Sequence, residues 1–479
     1  VTDSSPKAAR RFSLGRLIDD FFVLATGQFL SKVFGFLAFA WLARKLTTAD
    51  YGAVETAVGM AAIGTVALEL GTGAVGVRRL AQKESAAPEI LGSVISARLT
   101  LAVAVAPLLA LGYAAATKSS YPDILFWVFA ASLFAVPFNH NWFFQSQEKM
   151  AAAGFGQTLK MGAFLLCVIL FAPQRNGVSH VAYAEAVAAA LMAIWYSTLA
   201  FFHLRGSRLH YGLQPGFGLL RESAPVGASA FVNALAQYLP VLIVAALASE
   251  FETAQFGAAQ RLVLSLVTFS FIYYFNLFPL IAGKLVDEPA ALSRIVAASV
   301  RVTAWIGFSL SALLWALAPV VMRLVFGKNF ETAGAEFGLL VWSGAFILAS
   351  GHARWLLVAG KRQNSLLAAQ IVNACVGVGA CLAFAPRWGG IGAAAACVLG
   401  ALALWAAAHW RAKDLAVSPP LRANAAAAFT ALAAVGVVLA VQPGPAAGAG
   451  LAAAVLALGM AADRQLFASL RILSEAKSR

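Results

Sequence analysis

T-A-D-Y-G-A-V-E, residues 48–55, is answered 205 positions later by T-A-Q-F-G-A-A-Q, residues 253–260. Each copy sets a Thr, an aromatic and a Gly ahead of an apolar run. That is the pattern of a helix start at a membrane face: a small polar cap, an interfacial ring and a residue that lets neighbours pack close. The copies differ in charge. Glu55 aligns with Gln260, and Thr56 aligns with Arg261. The phrase marks a duplicated scaffold whose halves are electrically unequal.

Other landmarks keep the register. Ser96-Ala97-Arg98-Leu99-Thr100 matches Ser299-Val300-Arg301-Val302-Thr303 at offset 203. Trp142 matches Trp355 at offset 213, each just before a short polar loop, and Phe171-Ala172-Pro173 matches Phe384-Ala385-Pro386 at the same offset. Ala-rich helices resemble one another by chance, but ordered matches at nearly constant offset point to one unit written twice.

Composition fixes the medium. Hydrophobic residues make up 61% of the 479 and charged residues 12%, against about 45–50% and about 25% in soluble domains. Mean hydropathy is +0.79. Apolar runs of spanning length recur, and in lipid such runs must be helices because the backbone has to satisfy itself. The spacing predicts fourteen spans, at roughly 21–43, 52–77, 92–116, 122–144, 152–172, 178–203, 225–248, 256–282, 299–322, 336–359, 364–384, 389–410, 422–441 and 447–467.

An even count puts both termini on one side. That side receives Lys7, Arg10, Arg11, Arg16, Arg78, Arg79, Lys83, Lys149, Arg205, Arg208 and Arg221, and later Lys284, Arg294, Lys361, Arg362, Arg411, Lys413, Arg422, Arg464, Arg471, Lys477 and Arg479. The other side has Arg44, Lys45, Lys118, Arg175, Arg323, Lys328 and Arg387. The cationic side is expected to be cytoplasmic. The formal net charge of +14 is dispersed over short loops, so it reads as orientation and not as a nucleic-acid surface.

The fold class expected is therefore all-α, a polytopic helical membrane protein. About fourteen transmembrane helices would form two six-helix lobes around a central cavity, plus two extra C-terminal helices. The divisions are 1–20 as a cytoplasmic N-terminal segment, 21–204 as the N-lobe, 205–412 as the C-lobe and 413–479 as spans 13–14 with a cytoplasmic tail. Segment 10–20 reads equally as a short amphipathic surface helix or as the basic flank of the first span. Two same-orientation lobes should be related by an axis along the membrane normal, with substrate bound between them.

The offset works as a ruler. Gln28 and Lys32 in span 1 map onto Asn233 and Gln237 in span 7, polar pairs spaced i, i+4 on one helical face. In a bilayer such faces turn toward each other or toward a water-filled cavity, so spans 1 and 7 are the expected cavity walls. A charge at a span centre costs at least about 2.5–3.5 kcal/mol and needs a reason. The intramembrane cations are Lys32, Arg98, Lys160, Arg261, Arg301 and Arg354; the acids are Glu55, Glu69 and Glu185. Lys32 lies roughly 16 Å into its span, too deep for easy snorkelling. This excess of cations suits an anionic group, and phosphate most of all. The acids are candidates for ion pairs or ion coupling.

Catalysis is not expected. No G-x-x-x-x-G-K-[ST] loop is present, the six His and four Cys show no metal spacing, and the loops are too short for a catalytic domain. The four Cys sit in apolar stretches and read as buried small hydrophobes. No cofactor is expected. Gly71-Thr72-Gly73 and Gly389-Gly390 read as close helix packing.

Several stretches resemble a known family. G-Q-F-L-S-K-V-F-G-F-L-A-F-A-W-L-A-R-K-L-T-T-A-D-Y-G at 27–52, L-E-L-G-T-G-A-V-G-V-R-R-L-A at 68–81, W-F-F-Q-S-Q-E-K-M at 142–150 and G-G-I-G-A-A-A-A at 389–396 are similar to the polysaccharide transporter family. That family holds the Wzx-type O-antigen flippases of the multidrug/oligosaccharidyl-lipid/polysaccharide exporter superfamily. The resemblance covers about residues 15–412. The family's usual Pro before Y-G is replaced here by T-A-D.

The resemblance implies two lobes around a cationic cavity. It also implies translocation of undecaprenyl-diphosphate-linked oligosaccharide from the cytoplasmic to the periplasmic leaflet of a bacterial inner membrane, by alternating access and driven by H⁺, Na⁺ or the membrane potential. A polymerase and other polysaccharide-assembly proteins would be its partners, with no nucleic acid. Lys32, Arg98, Arg261, Arg354 and Lys160 are the expected headgroup cations, Gln28, Asn233 and Gln237 the cavity polars, and Glu55 and Glu69 the coupling or ion-pair acids. A multidrug cation extruder of the same superfamily is the main rival, and it calls for acids at mid-membrane where this chain has lysines. A lipid II flippase and a membrane glycosyltransferase or polymerase are the others.

Overall fold

The computed structural model describes residues 14–82, 86–116, 123–171, 177–204 and 212–477. Lys7, Arg10, Arg11, Lys83, Lys118, Ala172, Pro173, Arg175, Arg205, Arg208 and Arg479 lie outside the described residues. Among the described residues every regular element is helical. From Leu14 the chain is already in helix α1 (Leu14–Lys45), so residues 14–20 continue into the first span without a separate surface helix.

Helix α2 (Thr48–Glu69) begins where Thr47 Oγ1 accepts the Asp50 N–H at 3.1 Å, so Thr47 is the cap. It breaks at Leu70 and Gly71, both at positive φ, and restarts as α3 (Thr72–Gln82). The break is a joint in the span, where the sequence suggested packing alone. Helix α4 (Ala87–Ala116) follows. The fourth span is composite: α5 (Asp123–Ser132), a 3-10 turn over Leu133–Phe138 containing Pro137, and α6 (Asn141–Ser146). Helices α7 (Met150–Phe171) and α8 (Gly177–His203) complete the first lobe.

The second lobe holds α9 (Leu213–Leu247), α10 (Glu250–Asp287), α11 (Pro289–Ala316), the short α12 (Ala318–Phe326), α13 (Gly334–Ala359) and α14 (Gln363–Ala412). Ser249 and Glu252 close a reciprocal capping box at the start of α10. Helices α15 (Ala425–Val441), α16 (Pro445–Ala462) and α17 (Arg464–Lys477) are appended.

Thirteen described stretches are long and apolar enough to cross a membrane. One of them, α14, has 50 residues. At about 1.5 Å per residue that is about 75 Å, more than twice the hydrocarbon thickness of about 30 Å. Gly389, at φ +51°, ψ −131°, folds it back on itself. A methyl on Gly392 would meet Phe384 O at 2.6 Å, and one on Gly400 would meet the Cα of Gly377 at 3.0 Å. So α14 is an antiparallel hairpin of two spans, which brings the total to fourteen.

The repeated phrases meet. A methyl on Gly52 would lie 2.6 Å from Glu250 O, and one on Gly257 would lie 2.7 Å from Glu55 Cγ. These two glycines, 205 positions apart, let α2 and α10 cross in near-backbone contact at one end of the lobes. A second seam closes the opposite ends. There Gly227 of α9 sits against the Leu70 backbone, and Arg78 and Arg79 of α3 both grip Glu222 of α9. The appended helices pack on α11, where Ala304, Trp305, Phe308 and Ala312 meet Ala427, Ala431, Ala434 and Leu456. Asp463 fastens the start of α17, accepting from Arg301 at 2.9 Å and from the Trp305 indole at 2.9 Å. Burial works against its carboxylate, but the Trp305 and Arg301 donors hold it below the usual range.

Candidate functional site

A cavity of about 840 Å³ lies between α1 and the second lobe. Helix α1 contributes Gln28, Phe29, Lys32, Val33 and Phe36; α9 contributes Asn233, Ala236, Gln237 and Pro240. The wall from Gln260 to Phe275 belongs to α10, and α13 supplies Leu340, Ser343, Arg354 and Trp355. Asn373 and Cys397 come from the two arms of α14. The polar pairs that the ruler picked out, Gln28/Lys32 and Asn233/Gln237, all face this space. The i, i+4 spacing puts each pair on one stripe, and a polar stripe on an otherwise apolar helix turns away from lipid.

Lys32 and Arg354 line the cavity, and neither has an ion-pair or hydrogen-bond partner among the described residues. No acid lines it among the described residues. The remaining wall is mostly apolar and aromatic. Phe29, Phe269 and Phe271 are half-exposed on it, and Phe271 and Phe278 flank Trp355 with ring centroids 6.0 and 5.1 Å away.

Arg261 is spoken for. Its Nε donates to Glu55 Oε1 at 2.7 Å and its Nη2 to Glu55 Oε2 at 2.6 Å, a fork across the seam of α2 and α10. Its Cζ lies 3.3 Å from the centroid of the Phe39 ring on α1. One guanidinium thus ties α10 to α1 and α2. The charge difference between the two copies of the phrase is one ion pair: the first copy holds the acid and the second the base. Gln260, the counterpart of Glu55, donates to Gln237 O at 2.8 Å within its own lobe.

Two other expected headgroup cations are not in the cavity. Arg98 is buried in the first lobe, with Nε on Thr72 Oγ1 at 2.9 Å and Nη1 on Asn139 O at 3.1 Å. It secures the restart of α3 and the 3-10 turn of the fourth span. Lys160 pairs with Glu185 at 2.6 Å between α7 and α8. Sequence gives a residue's depth along a span but not which neighbour its face meets, and that neighbour decides whether a cation is spent. Glu69 is half-buried beside Arg98 and makes no ion pair with it among the described residues. Of the four Cys expected to be buried, Cys381 is buried, Cys167 and Cys397 are half-buried and Cys375 is exposed.

Some polar residues escaped the sequence reading. Ser343 and Asn373 line the cavity with no i, i+4 pair to flag them, and Gln260, read in the repeat only as the counterpart of Glu55, lines it too. Glu336 is buried near Gly390, and its Oε2 has no partner. It fell on the edge of a predicted span and passed as a flank. His352 is fully buried behind the cavity wall.

The family model described as "Polysaccharide biosynthesis protein" matches residues 17–283, more than half of the chain. The chain belongs to the polysaccharide biosynthesis protein family. No curated protein sequence matches it closely enough to add to this. Among solved structures, this member of the family is similar to lipid II flippase MurJ in an inward closed conformation, with TM-score 0.76 at 11% identity. That match covers 93% of this chain and all of the other. An inward-facing multidrug resistance MATE transporter of the MOP superfamily matches at TM-score 0.63 and 16% identity, over 79% of this chain and 93% of its own. A MOP superfamily transporter from Pyrococcus furiosus, described as having a binding pocket of reverse polarity, matches at TM-score 0.51 and 16% identity. That match covers 83% of this chain and 94% of the other. At these identities the likeness is one of fold: this polysaccharide biosynthesis family member is a multi-pass membrane protein whose helices are arranged as in those transporters.

Proposed function

We propose that the protein is a flippase for undecaprenyl-diphosphate-linked oligosaccharide, carrying it from the cytoplasmic to the periplasmic leaflet of a bacterial inner membrane. The observation that carries this reading is the pair of unspent cations, Lys32 and Arg354, in a membrane cavity that no described acid lines. An unpaired cation at membrane depth is costly, and a diphosphate supplies the missing counter-charge. Arg354 offers its fork and Lys32 a point charge. Gln28, Asn233 and Gln237 give the sugar hydroxyls donors and acceptors. The half-exposed Phe29, Phe269 and Phe271 provide an apolar rim along which a polyprenyl chain can stay in lipid.

In this reading the lobes, dividing near 204 and 412, rock about the cavity, and the outer and inner seams open in turn. Arg261 and Glu55 act as the outer latch, while Arg98 and Lys160 serve the scaffold of the first lobe. Transport is driven by an ion gradient or the membrane potential, both termini are cytoplasmic, and a polymerase receives the product. A cation extruder would need a carboxylate where Lys32 stands. The test is leaflet assignment of labelled lipid-linked sugar. Deletion should strand it in the cytoplasmic leaflet, and wild type but neither K32Q nor R354Q should restore it. Full restoration by the double variant would remove the reading.

A further inference from the structure

The fixed charge of the cavity can be counted. Lys32 and Arg354 are its only charged lining groups among the described residues. The nearby cations add nothing to it. Arg261 is cancelled by Glu55 at 2.7 and 2.6 Å, and Lys160 by Glu185 at 2.6 Å. Arg98 is buried in the first lobe on Thr72 and Asn139. The other polar side chains on the wall, Gln28, Asn233, Gln237 and Asn373 among them, are uncharged.

A diphosphate bridging a polyprenol and a sugar keeps one ionised oxygen on each phosphate. Its two negative charges match the two free cations, so the loaded cavity is neutral. Any further charge on the sugar is left without a partner. A carboxylate would sit at membrane depth among amides and rings, where an unpaired charge is costly. An ammonium would share the space with Lys32 and Arg354 and find no acid on the wall.

The rest of the lining favours the same kind of guest. Phe271 and Phe278 flank Trp355 with ring centroids 6.0 and 5.1 Å away, and Phe29 and Phe269 are half-exposed. An aromatic ring is electron-rich on its face. That face accepts the C–H side of a pyranose and repels a carboxylate. Each amide offers both a donor and an acceptor, which suits hydroxyl and acetamido groups that also do both.

We infer that the sugars held in this cavity are uncharged, so that a neutral hexose or acetamido sugar on the diphosphate is selected over a uronic acid or a free amino sugar. This rests on the flippase reading above and narrows its substrate class. A wet cavity softens the cost of the stranded charge, and the expected preference is about tenfold or more in affinity.

The test uses the purified full chain and three short-chain polyprenyl-diphosphate probes that differ at one carbon of a single sugar: a hexose, the matching hexuronic acid and the methyl ester of that acid. Affinities are compared at about pH 7, where a carboxylic acid is ionised. The hexose and the ester should bind alike, about tenfold or more tightly than the acid. N233K adds a third cation to the wall and should close the gap by strengthening the acid. An acid that binds as well as the hexose, or better, overturns the inference and leaves the flippase reading standing. So does an ester as weak as the acid, which assigns the preference to shape, and so does a gap unchanged in an N233K protein that still binds the hexose. Should N233K lose hexose binding, the ester alone decides. Binding of no probe by wild type overturns both.

Discussion

At the scale of the residue, what matters is which cations are spent. Lys32 and Arg354 face the cavity without partners among the described residues, whereas Arg261, Arg98 and Lys160 are held by Glu55, Thr72 with Asn139, and Glu185. A charge-assisted contact is worth about 1.5–3 kcal/mol. K32Q or R354Q should therefore weaken headgroup binding by about 10–100-fold, read as probe affinity, with the protein still inserted and monodisperse. R354K should recover only part of it, because a point charge does not replace a fork. The Glu55–Arg261 fork behaves differently. Removing one partner strands a buried charge at a cost of about 3–5 kcal/mol, while removing both leaves none stranded. Thermal unfolding of E55A, R261A and the double variant should show the double less damaged than the sum of the singles. Simple additivity would mean that the two side chains do not interact.

At the scale of the element, glycines decide where helices bend and touch. Gly389 holds φ +51°, and a Cβ there would lie 2.0 Å from Glu252 Oε1. An alanine is strained twice over, by backbone and by contact. G389A should lower the melting temperature and loosen the α14 hairpin, whereas G379A, with nothing within 4 Å of its added methyl, should be close to neutral. Equal effects would show that the fold-back is set elsewhere. The sequence marked Gly389 as a packing residue. Its role as a reversal came to light because the two arms of α14 meet along Gly377 and Gly400, positions that no local pattern links. The same holds at Gly71, where a predicted single span is two helices meeting at a positive-φ joint.

At the scale of the whole molecule, two seams hold the lobes: Gly52 and Gly257 with the Glu55–Arg261 fork at one end, and Gly227 with the Arg78/Arg79–Glu222 cluster at the other. The proposed flippase cycle predicts that they open in turn. Spin labels on Ala49 of α2 and Phe251 of α10 should gain a longer-distance population when E55A/R261A removes the outer latch. A single unchanged distance would speak against rocking of the lobes about this seam.

The sequence by itself determined the medium, the number of crossings and the duplication. Hydropathy is summed along the chain, and lipid leaves the backbone no alternative to helix. It also put Gln28, Lys32, Asn233 and Gln237 on the cavity, because an i, i+4 polar stripe in an apolar helix has a single acceptable direction. Only the tertiary structure decided which charges are free. Glu55 and Arg261 are 206 positions apart and Lys160 and Glu185 are 25 apart, yet each pair is in contact. A charge in a membrane is neutralised by whatever helix lies beside it, and helix neighbours are fixed by packing, not by order along the chain. The phrase at 48–55 and its echo at 253–260 could be read as a repeat from letters alone. That they press against each other and share one ion pair is a fact of the folded molecule.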